Sequence, residues 1–210
     1  MLQFITNAST PEAVVNQVKL VLAGGCKWIQ LRMKNSSPEE VTQVAKTLQP
    51  LCKEHEAILV VDDHVKIAKE LALDGVHLGK NDMPVADARR LVGEDSIILI
   101  GATANTLNDI IAASPTFVDY IGLGPFRFTT TKANLSPVLG LEGYKDIVAK
   151  YRERGGELPI VAIGGIEFDD IHPLMATGVS GIAVSGAIAN AADVTAETQR
   201  FIEQLEKYKI

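Results

Sequence analysis

Two cysteines are all that the 210-residue chain contains, and neither has a metal-binding neighbourhood. Cys26 and Cys52 form no Cys-x-x-Cys pair and stand in no Cys/His ligand spacing, which argues against a zinc site and a disulfide scaffold. Both are expected to be reduced, mostly buried thiols of a cytoplasmic protein. No apolar run approaches the roughly 18–20 residues that a membrane helix needs. Met1 leads into Leu2-Gln3-Phe4-Ile5-Thr6 with no basic segment and no long apolar one, so no signal peptide is expected. Positive charge is in deficit: 20 Lys and Arg face 26 Asp and Glu, for a net charge of -6. That balance argues against a nucleic-acid binder with a broadly basic face, but not against small anions held by a local field. No Gly-x-Ser-x-Gly or His-Glu-x-x-His motif is present, and His55, His64 and His172 show no spacing with a nucleophile. Linkers and low-complexity stretches are also missing, so residues 1–210 read as a single domain.

What is present is regular alternation. Strand-like segments fall at Leu2–Thr6, Trp28–Lys34, Ala57–Asp62, Val76–Leu78, Ser96–Ala102, Tyr120–Pro125, Pro159–Ile163 and Gly181–Ser185. Helix-like segments follow each one. Ser9 or Thr10 before Pro11, and Ser36-Ser37 before Pro38, are helix starts, and Gly24-Gly25, Asp74-Gly75 and Gly178 are stops. Eight consecutive strand–helix units imply an α/β fold, a (β/α)8 TIM barrel. The rival is a doubly wound open sheet, which needs an edge strand on each side, and none of the eight looks like an edge.

The second strand is unusual. Ile29, Leu31 and Met33 alternate with Gln30, Arg32 and Lys34, whereas Ile58–Val61, Ile98–Ile100 and Ile160–Ile163 are apolar throughout. Apolar runs belong to parallel strands covered on both faces. Polar side chains on such a strand need a polar target, since unpaired buried charge is costly. In a barrel the target is the mouth at the C-terminal ends of the strands.

Other polar clusters fall at the same ends. Asp62-Asp63 closes the third strand, and Gly79-Lys80-Asn81-Asp82 follows the fourth. Neighbouring strands lie about 4.8 Å apart, which brings Asp63 and Asp82 within reach of one small cation. Oxygen ligands point to Mg2+ with substrate phosphate oxygens, and Arg32 and Lys34 beside it suit a diphosphate. In the opposite quadrant, Ile163-Gly164-Gly165-Ile166 and Val184-Ser185-Gly186-Ala187 fit a phosphate held by backbone N–H groups. The long loop after the sixth strand, Phe126–Gly140, carries Thr129-Thr130-Thr131-Lys132, three hydroxyls and an ammonium that suit an anion. His77, flanked by Val76 and Leu78, is given no role. A metal-bound diphosphate facing a monophosphate implies two small-molecule substrates joined with loss of pyrophosphate. That reaction manages departing charge rather than proton transfer.

These residues resemble the thiamine-phosphate synthase (thiamine-phosphate pyrophosphorylase) family. The match runs along nearly the whole chain: Gln30-Leu31-Arg32-Met33-Lys34, Asp62-Asp63, Asp74-Gly75-Val76-His77-Leu78-Gly79, Gly122-Leu123-Gly124-Pro125 with Thr129-x-Thr131-Lys132, and Ile163-Gly164-Gly165-Ile166. The resemblance implies coupling of 4-amino-2-methyl-5-hydroxymethylpyrimidine diphosphate to a thiazole phosphate, with Mg2+, to give thiamine phosphate and pyrophosphate. It implies dissociative loss of pyrophosphate, a pyrimidine carbocation, and attack by the thiazole nitrogen. By the same resemblance Gln30 contacts the pyrimidine, and Thr103 keeps a hydroxyl near it. Arg32, Lys34 and Lys132 hold the diphosphate, Asp63 and Asp82 bind Mg2+, and Thr129, Thr131, Gly165, Val184 and Ser185 hold the thiazole phosphate. Four positions depart from the pattern. Asp62 stands where the family usually has Asn, which leaves it either a metal ligand or turned away. Asn105 stands where it has His, and Arg127-Phe128 replaces the usual pair.

Three rival readings remain. A thiazole tautomerase on the same barrel needs no diphosphate or Mg2+ site, and the set Arg32, Lys34, Asp63, Asp82 and Lys132 speaks against it. A sugar-phosphate isomerase or lyase needs a placed acid–base pair, and none is found. A non-catalytic barrel that binds a phosphate metabolite is compatible with the same residues. Oligomeric state is not legible in the sequence.

Overall fold

The computed structural model describes residues 1–114, 117–128 and 137–208. Its eight described strands are β1 (Leu2–Ile5), β2 (Trp28–Leu31), β3 (Ile58–Asp62), β4 (Gly75–Leu78), β5 (Leu99–Ala104), β6 (Tyr120–Leu123), β7 (Ile160–Ile163) and β8 (Gly181–Val184). Each pairs in parallel with the next, and β1 pairs with β8 in the register Leu2↔Ile182 and Phe4↔Val184. The ring therefore closes, as expected of a TIM barrel.

The helices are α1 (Pro11–Ala23), α2 (Pro38–Glu54), α3 (Val65–Glu70), α4 (Val85–Val92), α5 (Leu107–Ala113), α6 (Gly140–Glu153), α7 (Ile171–Met175), α8 (Gly186–Ala189) and α9 (Val194–Glu206). Local chemistry starts several of them. Thr10 caps α1 through the Ala13 N–H, and Ser37 with Glu40 forms a reciprocal capping box on α2. The seventh helical segment is shorter than the sequence predicts, a 3-10 turn (Phe168–Asp170) leading into α7. α8 is an addition, one turn directly after β8 that the sequence reading runs past.

Two apolar layers hold the barrel. The outer one lies between strands and helices and includes Ile29, Leu31, Leu59, Val61, Ile100 and Ile182. The inner one is small: Ile5, Trp28, Val60, Tyr120, Val161 and Ala183, with Ile163 against them. Alternation along β2 thus works as expected for Ile29 and Leu31, while Gln30 turns into the barrel and is buried. Both cysteines are buried and free, and burial pushes Cys26 to about 11 and Cys52 to about 12, so neither is a poised thiolate. Among the described residues no helix is long and apolar enough to cross a membrane.

Candidate active site

The second strand stops three residues earlier than its alternation implies. β2 ends at Leu31, and Arg32 and Lys34 stand on the turn beyond it. Thr6, just past β1, fixes that turn: its buried hydroxyl accepts from the Arg32 N–H at 2.9 Å and donates to the Arg32 carbonyl at 3.0 Å. A single hydroxyl therefore sets where the guanidinium leaves the backbone. Arg32 Nε lies 3.1 Å from Asp62 Oδ2, with both side chains mostly covered. Asp62 is thus the ion-pair partner of Arg32. Lys34 is exposed and has no partner among the described residues.

Asp63 follows in an unusual backbone state, φ 65°, with its N–H donating to the His77 carbonyl at 2.9 Å. Aspartate tolerates this left-handed region better than most residues, and the turn aims its carboxyl at the β4 side of the mouth. There it lies close enough to Asp82 for the two carboxyls to interact. Asp82 is positioned in turn by the Gly79 N–H, which donates to its Oδ2 at 2.7 Å. A Cβ on Gly79 would stand 2.6 Å from that oxygen, so glycine keeps the approach open. Burial, then the charges of Asp62 and Asp82, push Asp63 up to about 7, with Arg32 pulling the other way. Two neighbouring carboxyls form an oxygen-donor pair that suits a hard divalent cation, with remaining positions open to phosphate oxygens.

The opposite side is built from backbone. Gly164 and Gly165 have φ 98° and 67°, and a Cβ on either would press on the Pro125–Arg127 segment, at 2.8 Å from Pro125 Cα and 3.0 Å from Arg127 Cβ. Glycine is required twice here, by conformation and by space. Ser185 stands at the N-cap position of α8 without capping it through its side chain, and its Oγ is buried without a hydrogen-bond partner among the described residues. A buried unsatisfied hydroxyl is costly unless something outside the chain completes it. Val184 is buried at the end of β8.

Inside the barrel, below these two sides, lie Gln30 on β2 and Thr103 on β5, joined by a run of polar side chains that sequence reasoning left without roles: Gln3, Tyr120 and His77. Glycines at 101 and 122 were the available signal, since each leaves room for one of the two rings. The candidate residues Thr129, Thr131 and Lys132 lie outside the described residues.

A sequence profile described as thiamine monophosphate synthase matches residues 2–188. The chain belongs to the thiamine monophosphate synthase family. It is similar to thiamine-phosphate synthase from Bacteroides fragilis, 56% identical over 201 residues that cover 96% of this chain and 98% of that one. A relative from Bacteroides thetaiotaomicron with the same description is 55% identical and covers 96% of this chain and 95% of its own. Among solved structures, thiamine phosphate pyrophosphorylase from Pyrococcus furiosus superposes with a TM-score of 0.85 at 36% identity, covering 99% of this chain and 96% of that one. A 3-hexulose-6-phosphate synthase, at 18% identity and TM-score 0.72, shares the fold alone.

Two of the remaining departures, Asn105 and Arg127, have structural partners. The Asn105 side-chain nitrogen donates to the Gly124 carbonyl, tying the end of β5 to the end of β6. Arg127 forks onto Asp170, at 2.8 and 2.9 Å, and also donates to the Gly165 carbonyl. The root of the loop after β6 is thereby fastened to the glycine turn after β7.

Proposed function

We propose that this transferase couples an aminopyrimidine diphosphate to a thiazole phosphate, giving thiamine phosphate and pyrophosphate, with the two anions bound on opposite sides of one barrel mouth. The observation that carries the division is the contrast between those sides. Asp63, Asp82, Arg32 and Lys34 gather after β2–β4, while neutral glycine turns and the unsatisfied Ser185 hydroxyl gather after β7 and β8.

Asp63 and Asp82 would hold Mg2+, and Arg32 and Lys34 would take the diphosphate oxygens, with Lys132 from the loop after β6. Bound there, Mg2+ would offset charge on the diphosphate and on the departing pyrophosphate. Gln30 and Thr103 would meet the pyrimidine at the floor of the mouth. Gly165, Val184 and Ser185 would receive the thiazole phosphate through backbone N–H groups and a hydroxyl, together with Thr129 and Thr131. No general base is needed for departure of a diphosphate, because the developing charge is what must be stabilised.

The test is pyrophosphate release by the purified protein. Release is expected only when Mg2+ and both substrates are supplied, with thiamine phosphate formed in equal amount. No turnover under those conditions overturns the reading. Isomerisation of a thiazole phosphate without diphosphate or Mg2+ would favour a tautomerase instead.

The Arg32–Asp62 pair makes a smaller prediction. Asp62 places a carboxylate beside the groups assigned to the diphosphate, and its hold on Arg32 has to be shared when that anion arrives. Asp62→Asn keeps the size and removes the charge. It is expected to lower KM for the pyrimidine diphosphate about threefold, under 1 kcal/mol, with kcat within twofold of wild type. Steady-state kinetics decide; a KM that rises instead would make the carboxylate a direct substrate contact.

A further inference from the structure

The floor of the barrel carries a continuous hydrogen-bonded chain across five strands. Gln30 Nε2 donates to Gln3 Oε1 at 3.4 Å, and Gln3 Nε2 donates to the Tyr120 hydroxyl oxygen at 3.3 Å. The Tyr120 hydroxyl lies 3.0 Å from His77 Nδ1, and His77 Nε2 lies 3.0 Å from Thr103 Oγ1. Gln3, Gln30, His77 and Tyr120 are each at most 4% exposed. Thr103, at the far end, is only partly buried and borders the mouth.

The proton positions follow from satisfying each group. Tyr120 oxygen already accepts from Gln3, and its own buried hydrogen needs an acceptor. His77 Nδ1 is that acceptor. A neutral imidazole that accepts at Nδ1 carries its hydrogen on Nε2, so Nε2–H donates to Thr103 Oγ1. The threonine oxygen is thereby used as an acceptor, and its hydrogen is left to donate elsewhere. At the other end, Gln30 has spent an amide N–H inward, which leaves its carbonyl oxygen as an acceptor. One end of the chain accepts and the other donates.

The backbone makes space for this arrangement. A Cβ on Gly101 would lie 2.1 Å from Tyr120 Cζ, and one on Gly122 would lie 2.9 Å from His77 Cε1. The Trp28 ring meets Tyr120 edge-on at 4.8 Å between centroids and holds it from a third side. Rings packed this closely have little freedom to change hydrogen-bond partners.

We propose that Tyr120 and His77 are positioning residues that fix the hydroxyl of Thr103 as a hydrogen-bond donor toward the pyrimidine ring. An aminopyrimidine offers ring nitrogens that accept and an exocyclic amine that donates. The chain presents the matching pair, a donor at Thr103 and an acceptor at Gln30. A ring with a carbonyl and an N–H in those places would meet both with the wrong polarity. The proposal rests on the reading that Thr103 faces the pyrimidine.

The experiment is a double-mutant cycle between Tyr120→Phe and Thr103→Val, read as KM for each substrate separately. Tyr120→Phe is expected to raise KM for the pyrimidine diphosphate about fivefold and leave KM for the thiazole phosphate within twofold. Thr103→Val is expected to do the same, and the double variant to be no worse than Thr103→Val alone, because the first residue acts through the second. His77→Gln, which keeps an N–H near the Nε2 position, should retain more pyrimidine affinity than His77→Leu at comparable thermal stability. That comparison remains readable if the cycle's double variant folds poorly. Multiplying losses in the cycle, or equal shifts in both KM values, would overturn the proposal while leaving Thr103 at the pyrimidine. Wild-type kinetics in Thr103→Val would instead overturn the reading beneath it.

Discussion

Asp63→Asn is expected to slow pyrophosphate release at least about a hundredfold, roughly 2.7 kcal/mol, while making the metal-free protein harder to unfold. The two effects share one cause. Asp63 and Asp82 are pressed together, and Asp63 keeps its proton up to about pH 7. In an unfolded chain the same carboxyl ionises near 4. Below about pH 4 both states are protonated and folding is unaffected. Between about 4 and 7 the folded state holds a proton that the unfolded state has lost, so stability falls as pH rises. Above 7 the folded protein carries the full repulsion. Asparagine has nothing to ionise and tolerates the same left-handed backbone.

Asp63 is exposed to solvent, and screening reduces the energy well below the face value of its shift, to about 1 kcal/mol at most. For a domain of this size that is roughly 2–4 °C in melting temperature. The gain should appear at pH 8 in the presence of chelator and vanish near pH 4. Added Mg2+ should raise the melting temperature of the wild type but not of Asp63→Asn, since only a bound ligand stabilises. Full activity in the variant, or identical melting at pH 8, would remove Asp63 from the metal site.

Arg32→Ala is expected to reduce kcat/KM by at least about tenfold, some 1.4 kcal/mol, with a change of only a few degrees in melting temperature. The first loss is direct: a planar cation that fits a diphosphate is gone. The second passes through its neighbours. Among the described residues Arg32 pulls Asp63 down, and Asp62 would be left without the cation 3.1 Å away. Asp63 would then hold its proton to higher pH and release it less readily to a metal. Folding should suffer little, because Arg32 stands beyond the end of β2 and its backbone is held by Thr6 whatever the side chain. Wild-type turnover in Arg32→Ala would take this residue out of the site.

Much of this was legible in the sequence, and the failures have physical reasons. Eight apolar strand segments separated by capped helices specify the barrel, because a parallel sheet covered on both faces has few alternatives. Asp63 and Asp82 were brought together by strand adjacency alone. The end of β2 was misplaced because Arg32 and Lys34 continue the alternation after the ladder has stopped. The start of β5 was misplaced in the opposite sense: Ser96-Ile97-Ile98 looks like strand, yet Ile97 is 95% exposed, and the ladder instead takes in Thr103 and Ala104. One turn of helix at α8 is too short to show a period. The contact of His77 with Tyr120 joins residues 43 positions apart and has no local signature, so the sequence assigns His77 no role. The ion pair of Asp62 with Arg32 was hidden for the same reason: nothing in either segment names the other.

The ring shuts through the ladder of β1 against β8, which joins Leu2 to Ile182. Almost the whole chain must exist before that ladder can form, and contacts between residues so distant in sequence are slow to make. Until then the carboxylate side of the mouth has no opposite wall. The nascent protein therefore holds the pieces of the proposed diphosphate side before the wall that would face them exists. On the proposed assignment of the two sides, catalytic competence is expected only once the ring has closed.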